Sequence, residues 1–467
     1  MAIRSGYVVA GFETLAGIVD NFIKNKKNRY TDNFSREEVS KFLSTTCSGY
    51  LHSYGQEFKG KKKYSKYNQN EAKMFQKCRD MTVFDNCQFI ADSGGFQIAS
   101  GMLTLKESEL LLKMYYEFLE DHHSCVDKAF ILDVPPGPAS CEIFHNFEQL
   151  FDLNLWSYQR AKNLPKEVRD KLIYIHHFRT PKLWEIYTKI MREYDMFDSF
   201  QYFGTGGIVA NMRSDLSIPC IIYVLPIIPL LNECIKHKRK VLNFHVLGGS
   251  NFRDILFYEL FKLVVKEKHD IELNITYDSS GLFKGLMRGR YIYVFDGDKF
   301  IKMDIRTKNL NMRLKDNIKV IDMCRKYVKD LTDKYPYINP LQINDIYEIG
   351  KNGKPGTFYE DVKVYLMFSM LDQFSVIQEM MRKKAEEIYP LYKANCIDEF
   401  LSETTNITQS LNSGKLTKKQ QIKSISIKRS LDMLESLDED YCKYIVDTFL
   451  VKDEFVDLDP NTKLLSI

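Results

Sequence analysis

No CxxC pair or other metal-ligand spacing occurs among the ten cysteines, Cys47, Cys78, Cys87, Cys125, Cys141, Cys220, Cys234, Cys324, Cys396 and Cys442. Such scatter excludes a zinc ribbon and reads as reduced thiols in a cytoplasmic protein. Charge of one sign is also missing. The 66 Lys and Arg face 62 Asp and Glu, a net charge of +4, so bulk charge does not identify a nucleic-acid partner and local clusters must. Long apolar runs are absent too. The longest, Ile218 to Cys234, carries Pro226, Pro229 and Asn232, which fits a buried helix or helix pair and not a membrane span. The first residues show no cationic segment followed by an apolar run, and they alternate as a strand would. These absences lead us to expect a soluble protein with no membrane partner.

What is present is enough for one large core and a smaller appendage, with 467 residues of which 44% are hydrophobic. From about Gln88 to Asp278, short apolar runs alternate with longer helical patterns, the signature of repeated βα units on a parallel sheet. The runs are QFIAD, KAFILD, KLIYIHH, SFQYFG, KVLNFHVLG and IELNITYD. Thr104 with Glu107, and Ser35 with Glu38, form capping boxes that open helices. Further helices are predicted near Ile143 to Leu164, Pro181 to Tyr194 and Asn251 to Lys268. Counting these units favours a closed (β/α)8 barrel of the TIM type over an open sheet. After Asp278 the stretch YIYVFDGDKFIKMDI alternates about Asp296-Gly297, which predicts a β-hairpin insertion near 289–305. A helix over Asp361 to Lys383 is expected to pack back on the barrel. We therefore divide the chain into a barrel with its hairpin over residues 1–390 and a C-terminal helical accessory region over 391–467.

Barrel chemistry gathers where strands end, so the polar residues closing each run are the candidates. They are Asp92 with Ser93, Gly94, Gly95 and Phe96; Asp133; His176 and His177; Gly206 and Gly207; and Asp278. Each has a bland reading. A strand-end Asp is often a helix cap or Asx turn, a glycine pair often just a tight turn, and two successive strand histidines cannot both face inward. Three carboxylates and two glycine pairs at one mouth point instead to a site.

The segment ADSGGFQ, Ala91 to Gln97, closely resembles the strand-end motif of the tRNA-guanine transglycosylases. AFILD, FGTGGI, FHVLGG, ITYD and VFDGDKFIKMDI resemble successive features of that family in the same order, over roughly Cys87 to Ile305. The resemblance implies that Asp278 is the nucleophile attacking a sugar C1′ and that Asp92 is the general acid/base. It implies that Asp133 accepts hydrogen bonds from a guanine edge. Ser93 would lie on the base, Phe96 would stack on it, Val246 would cover it, and the backbone at Gly206 and Gly207 would approach it closely. His176 or His177 falls where the family carries a glutamine that reads the base carbonyl.

Two departures bear on the substrate. The family's zinc-binding CxCxxC is not found after the hairpin, where only Cys324 occurs, so neither a zinc ion nor any other cofactor is expected. In place of the basic stretch that contacts the anticodon loop, the chain reads Ser279-Ser280-Gly281-Leu282-Phe283-Lys284. The combination resembles the DpdA-type branch, found in bacterial modification clusters and in phages, which implies exchange of guanine in DNA for a free 7-deazaguanine such as 7-cyano-7-deazaguanine. The alternatives are a tRNA-guanine transglycosylase, a non-catalytic accessory subunit binding nucleic acid, and an unrelated barrel glycosidase, which the mere two tryptophans disfavour. For phosphate contacts we select Lys61, Lys62 and Lys63, and Lys284, Arg288 and Arg290 beside the nucleophile loop. The run Lys236 to Lys240 instead follows a helix and suits its C-terminal dipole.

Overall fold

The structure, a computed structural model, describes residues 6–10, 36–55, 87–136, 147–177, 181–206, 219–249, 252–278, 291–296, 299–304, 333, 357–410 and 418–449. Eight strands close a parallel barrel in chain order: β1 (Gly6–Ala10), β2 (Gly49–Ser53), β3 (Gln88–Asp92), β4 (Lys128–Phe130), β5 (Leu172–His176), β6 (Tyr202–Thr205), β7 (Val241–Val246) and β8 (Glu272–Asp278), with β8 pairing back to β1. The six apolar runs thus become β3 to β8. The first residues of the chain supply β1.

Residues opposite one another on parallel strands share a face, so the register fixes which side chains fill the barrel. One inward layer passes from Gly6 to Thr276, His245, Gly204 and Ile175. Above it, Val8 pairs with Asp278 and Ser53 with Asp92. Near the opposite end, the Lys128 ammonium lies 3.5 Å from the centre of the Tyr202 ring, a cation–π contact that lets a lysine enter the interior.

Helices follow the strands as the periodicity requires: α1 (Arg36–Thr46), α2 (Gly95–Ala99), α3 (Leu105–His122), α4 (Phe147–Lys162), α5 (Pro181–Glu193), the pair α6 (Pro219–Val224) and α7 (Ile227–Lys236), and α8 (Phe252–His269). Thr104 and Glu107 cap α3 reciprocally. The proline-containing apolar run resolves into α6 and α7, both short, with α7 buried from Ile227 to Leu231 and at Glu233 and Cys234. Lys236, Arg239 and Lys240 close the end of α7: Lys236 pairs with Glu233, Arg239 donates to the carbonyls of Phe197 and Phe200, and Lys240 pairs with Asp270.

β8 is followed by the antiparallel hairpin β9 (Tyr291–Asp296) and β10 (Lys299–Asp304), in which Asp296 pairs with Lys299. The helix that completes the ring comes only after this insertion. It is α9 (Thr357–Lys393), packed between α8 and α1. Phe374 of α9 stacks on Tyr7 of β1 with ring centres 4.2 Å apart, and Gln378 donates to the Tyr277 hydroxyl at 2.7 Å. The helix runs through Pro390, so residue 390 lies inside it. Three helices follow, α10 (Ile397–Ser410), α11 (Lys418–Ser436) and α12 (Glu439–Phe449). α11 packs on α6 and α8, while Arg192 of α5 pairs with Glu439 at the start of α12. Among the described residues no helix is long and apolar enough to cross a membrane.

Candidate active site

The three strand-end carboxylates meet at one mouth of the barrel, each held by a different device. Asp92 closes β3, one strand from Ser53, its register partner. The amide of Gln97 donates to the Ser53 hydroxyl oxygen at 3.1 Å, and the Ser53 side chain is hydrogen-bonded to Asp92, as is the backbone of Gly94. These bonds favour the carboxylate, but burial outweighs them, and Asp278 and Asp133 nearby add repulsion. The Asp92 carboxyl is pushed up to about 6. That places its proton exchange close to neutral pH.

Asp133 reaches the mouth by breaking the strand pattern. In β4, Lys128 and Phe130 face inward, since Lys128 covers Tyr202 and Phe130 meets the His245 ring edge-on at 5.0 Å. Strict alternation would send Leu132 inward and Asp133 outward. The ladder ends there instead, and helix side chains take over its backbone groups. Tyr115 of α3 donates to the Phe130 carbonyl at 2.7 Å, and the Leu132 amide donates to the Tyr116 hydroxyl at 3.1 Å. Asn154 of α4 accepts from the Val134 amide at 2.8 Å and donates to the Val134 carbonyl at 2.9 Å. Ser157 donates to the Leu132 carbonyl. So clamped, residues 131–134 turn Asp133 toward β5, where its Oδ2 is paired with Nε2 of His177.

The loop after Asp92 packs directly on this segment. A Cβ at Gly95 would lie 1.7 Å from the Asp133 carbonyl oxygen, so only glycine fits there. Gly94 caps α2 with φ +100°, a left-handed conformation open to glycine. Ser93 is buried at this turn, while Phe96, in the first turn of α2, is 58% exposed.

Asp278 closes β8 and is only 8% exposed. Its Oδ1 accepts a hydrogen bond from the Gly248 amide at 2.7 Å. The turn carrying that amide is braced from behind, because Tyr258 of α8 donates to the Gly249 carbonyl at 2.8 Å. Below Asp278 lies His245, whose Nδ1 is 2.8 Å from the Thr276 hydroxyl and whose Nε2 is 3.5 Å from Oδ1 of Asp278.

The two histidines of β5 separate as alternation demands. His177 faces the mouth with Asp133, and its Cε1 would be 3.3 Å from a Cβ at Gly206. His176 faces the helix layer beside Tyr187 of α5, where burial, with His177 alongside, pushes it down to about 3. The choice left open between these residues falls to His177, and His176 is a core residue. Val246 requires a second correction. It alternates with His245, which is inward, so its own side chain faces outward and is fully buried, in contact range of Gly249. Leu247 is the apolar residue beside Gly206. His245, Leu247 and Ser53 complete the mouth and were missed; the inward alternation Asn243, His245, Leu247 was the signal that would have found the first two.

Gly207, Lys61, Lys62, Lys63, Lys284, Arg288 and Arg290 lie outside the described residues. Among the described residues no group of three His, Cys, Asp or Glu side chains is arranged to hold a metal ion. The chain matches no protein-family model and no curated protein.

Proposed function

We propose that this chain is a DNA-guanine transglycosylase that exchanges guanine for a free 7-deazaguanine by double displacement through Asp278. One observation carries the reading: three carboxylates share a barrel mouth and differ in their surroundings in the way the three tasks of base exchange require. Asp278 has one oxygen tied to a backbone amide, which leaves the other for attack on a carbon. Asp92 is pushed up to about 6, which suits a group that must both give and take a proton near neutral pH. Asp133 is oriented by His177 beside Gly206, an acceptor-only group next to an open backbone.

In the first step a bond forms between Asp278 and C1′ as the bond from C1′ to the guanine nitrogen breaks. Asp92 gives its proton to the leaving base, and a glycosyl ester remains on Asp278. In the second step the incoming base loses its ring N–H proton to Asp92 and attacks C1′, and the ester breaks. Exposed Phe96 offers a stacking face at the rim for a base flipped out of its helix. DNA is preferred to tRNA because the sequence after Asp278 lacks the basic stretch that resembling enzymes direct at an anticodon loop.

The test is incorporation of labelled guanine or 7-cyano-7-deazaguanine into duplex DNA, single-stranded DNA and bulk tRNA, with Asp278→Ala as control. Label entering DNA and lost in the variant is the expected result. Label in tRNA alone would replace the substrate assignment, and no label in any acceptor would overturn the activity.

A further inference from the structure

The barrel interior contains a histidine that the double displacement does not use as an acid or base. His245 is 1% exposed, and its neighbours fix its ring on three sides. Its register partner Thr276 takes Nδ1 at 2.8 Å. The Phe130 ring meets it edge-on, 5.0 Å between centres and 61° between planes. Nε2 points up the barrel at Oδ1 of Asp278, 3.5 Å away, and has no hydrogen-bond partner among the described residues. A buried ring nitrogen left without a partner is unfavourable, and an apolar side chain of similar volume would avoid it. A movement of about half an ångström would close this gap to a hydrogen bond.

We infer that His245 is a positioning residue for the nucleophile: together with the Gly248 amide it holds Oδ1 of Asp278, so that Oδ2 is the oxygen that attacks the sugar. The inference rests on the reading of Asp278 as nucleophile. In the tautomer that carries its ring proton on Nε2, the Thr276 hydroxyl donates to Nδ1 and the proton faces Oδ1. Two donors then converge on one carboxylate oxygen and set the plane of the group. As Oδ2 bonds to C1′, Oδ1 becomes the ester carbonyl, with the Gly248 amide and Nε2 of His245 both directed at it. When the second base attacks C1′, the electron pair of the breaking ester bond returns to Oδ2 and the carboxylate is restored in the same orientation. Thr276 acts only through His245, which makes the pair separable by experiment.

His245→Phe keeps the ring and its contact with Phe130 but removes the donor. Kinetics on duplex and single-stranded DNA should show kcat lowered on the order of 10²-fold, the effect of misplacing a reacting group, with KM for the free base unchanged. Thr276→Val should lower kcat less, and adding it to His245→Phe should lower it no further. His245→Gln, whose amide can donate along a similar direction, should recover part of the loss and serves if the Phe variant does not fold. A kcat within twofold of the wild type in both His245 variants would overturn the inference while leaving Asp278 as nucleophile. So would additive losses in the double variant. Should the wild type exchange no base in any nucleic acid, the activity reading fails by itself, and nitrogen-15 NMR of the histidine rings still tests the contact. A proton on Nε2 of His245 whose resonance moves in Asp278→Asn supports the pairing, and an unmoved resonance overturns it.

Discussion

Asp92→Asn should make the fold more stable at neutral pH, and the gain should vanish in acid. The folded protein pushes this carboxyl from 3.8 up to about 6, chiefly by burial. Protonation therefore favours the folded state. The stability this supplies is complete below about 4 and is lost as pH rises through about 6. The gap corresponds to about 3 kcal/mol of penalty for the ionised group above pH 7. Asparagine fills the same space, can still accept from Ser53, and carries no charge to bury or to repel Asp133 and Asp278. Urea unfolding followed by the fluorescence of buried Trp184, measured from pH 4 to pH 8, reads the effect. The variant should exceed the wild type by about 2–3 kcal/mol at pH 8 and by little at pH 4. A difference independent of pH, or a variant less stable at pH 8, would refute the argument that burial dominates at Asp92.

Further outcomes follow from the same mouth. Asp92→Asn should also lower exchange by at least about 10²-fold, the usual contribution of a general acid/base, measured as incorporation of labelled base. His177→Phe, by releasing Asp133, should raise KM for the free base about tenfold while changing kcat little. Gly95→Ala forces a methyl group into the Asp133 carbonyl and should cost on the order of 3 kcal/mol with loss of base binding, read by urea unfolding and calorimetry. Thr104→Ala removes the capping box of α3; it should cost about 1 kcal/mol and leave exchange unchanged.

The barrel was legible because its strands are apolar runs flanked by helical periodicity, and Asp92 and Asp278 were legible because each closes such a run. Residue types alone did not tell which side chains turn inward at irregular ends. Asp133 enters the mouth against the alternation set by Lys128 and Phe130, and what puts it there is a set of side chains on other elements, Tyr115, Tyr116, Asn154 and Ser157. Val246 was assigned to the mouth by resemblance, whereas pairing of His245 with Thr276 sends it outward. α9 was expected to pack on the barrel and does, but its place as the closing helix of the ring depends on contacts with β1 and β8 more than a hundred residues away in sequence from its nearer partner. The basic segments around Lys61 to Lys63 and Lys284 to Arg290, where nucleic-acid contact was expected, lie outside the described residues.

Exchange by double displacement requires a covalent bond between Asp278 and a nucleic-acid sugar. The protein should be incubated with a guanine-containing DNA oligonucleotide without free base, denatured, and its mass and modified peptide determined. An adduct of the protein and the oligonucleotide less guanine should form, attached at Asp278 and absent from Asp278→Asn. An adduct on another residue, or base exchange proceeding at full rate in Asp278→Asn, would contradict it.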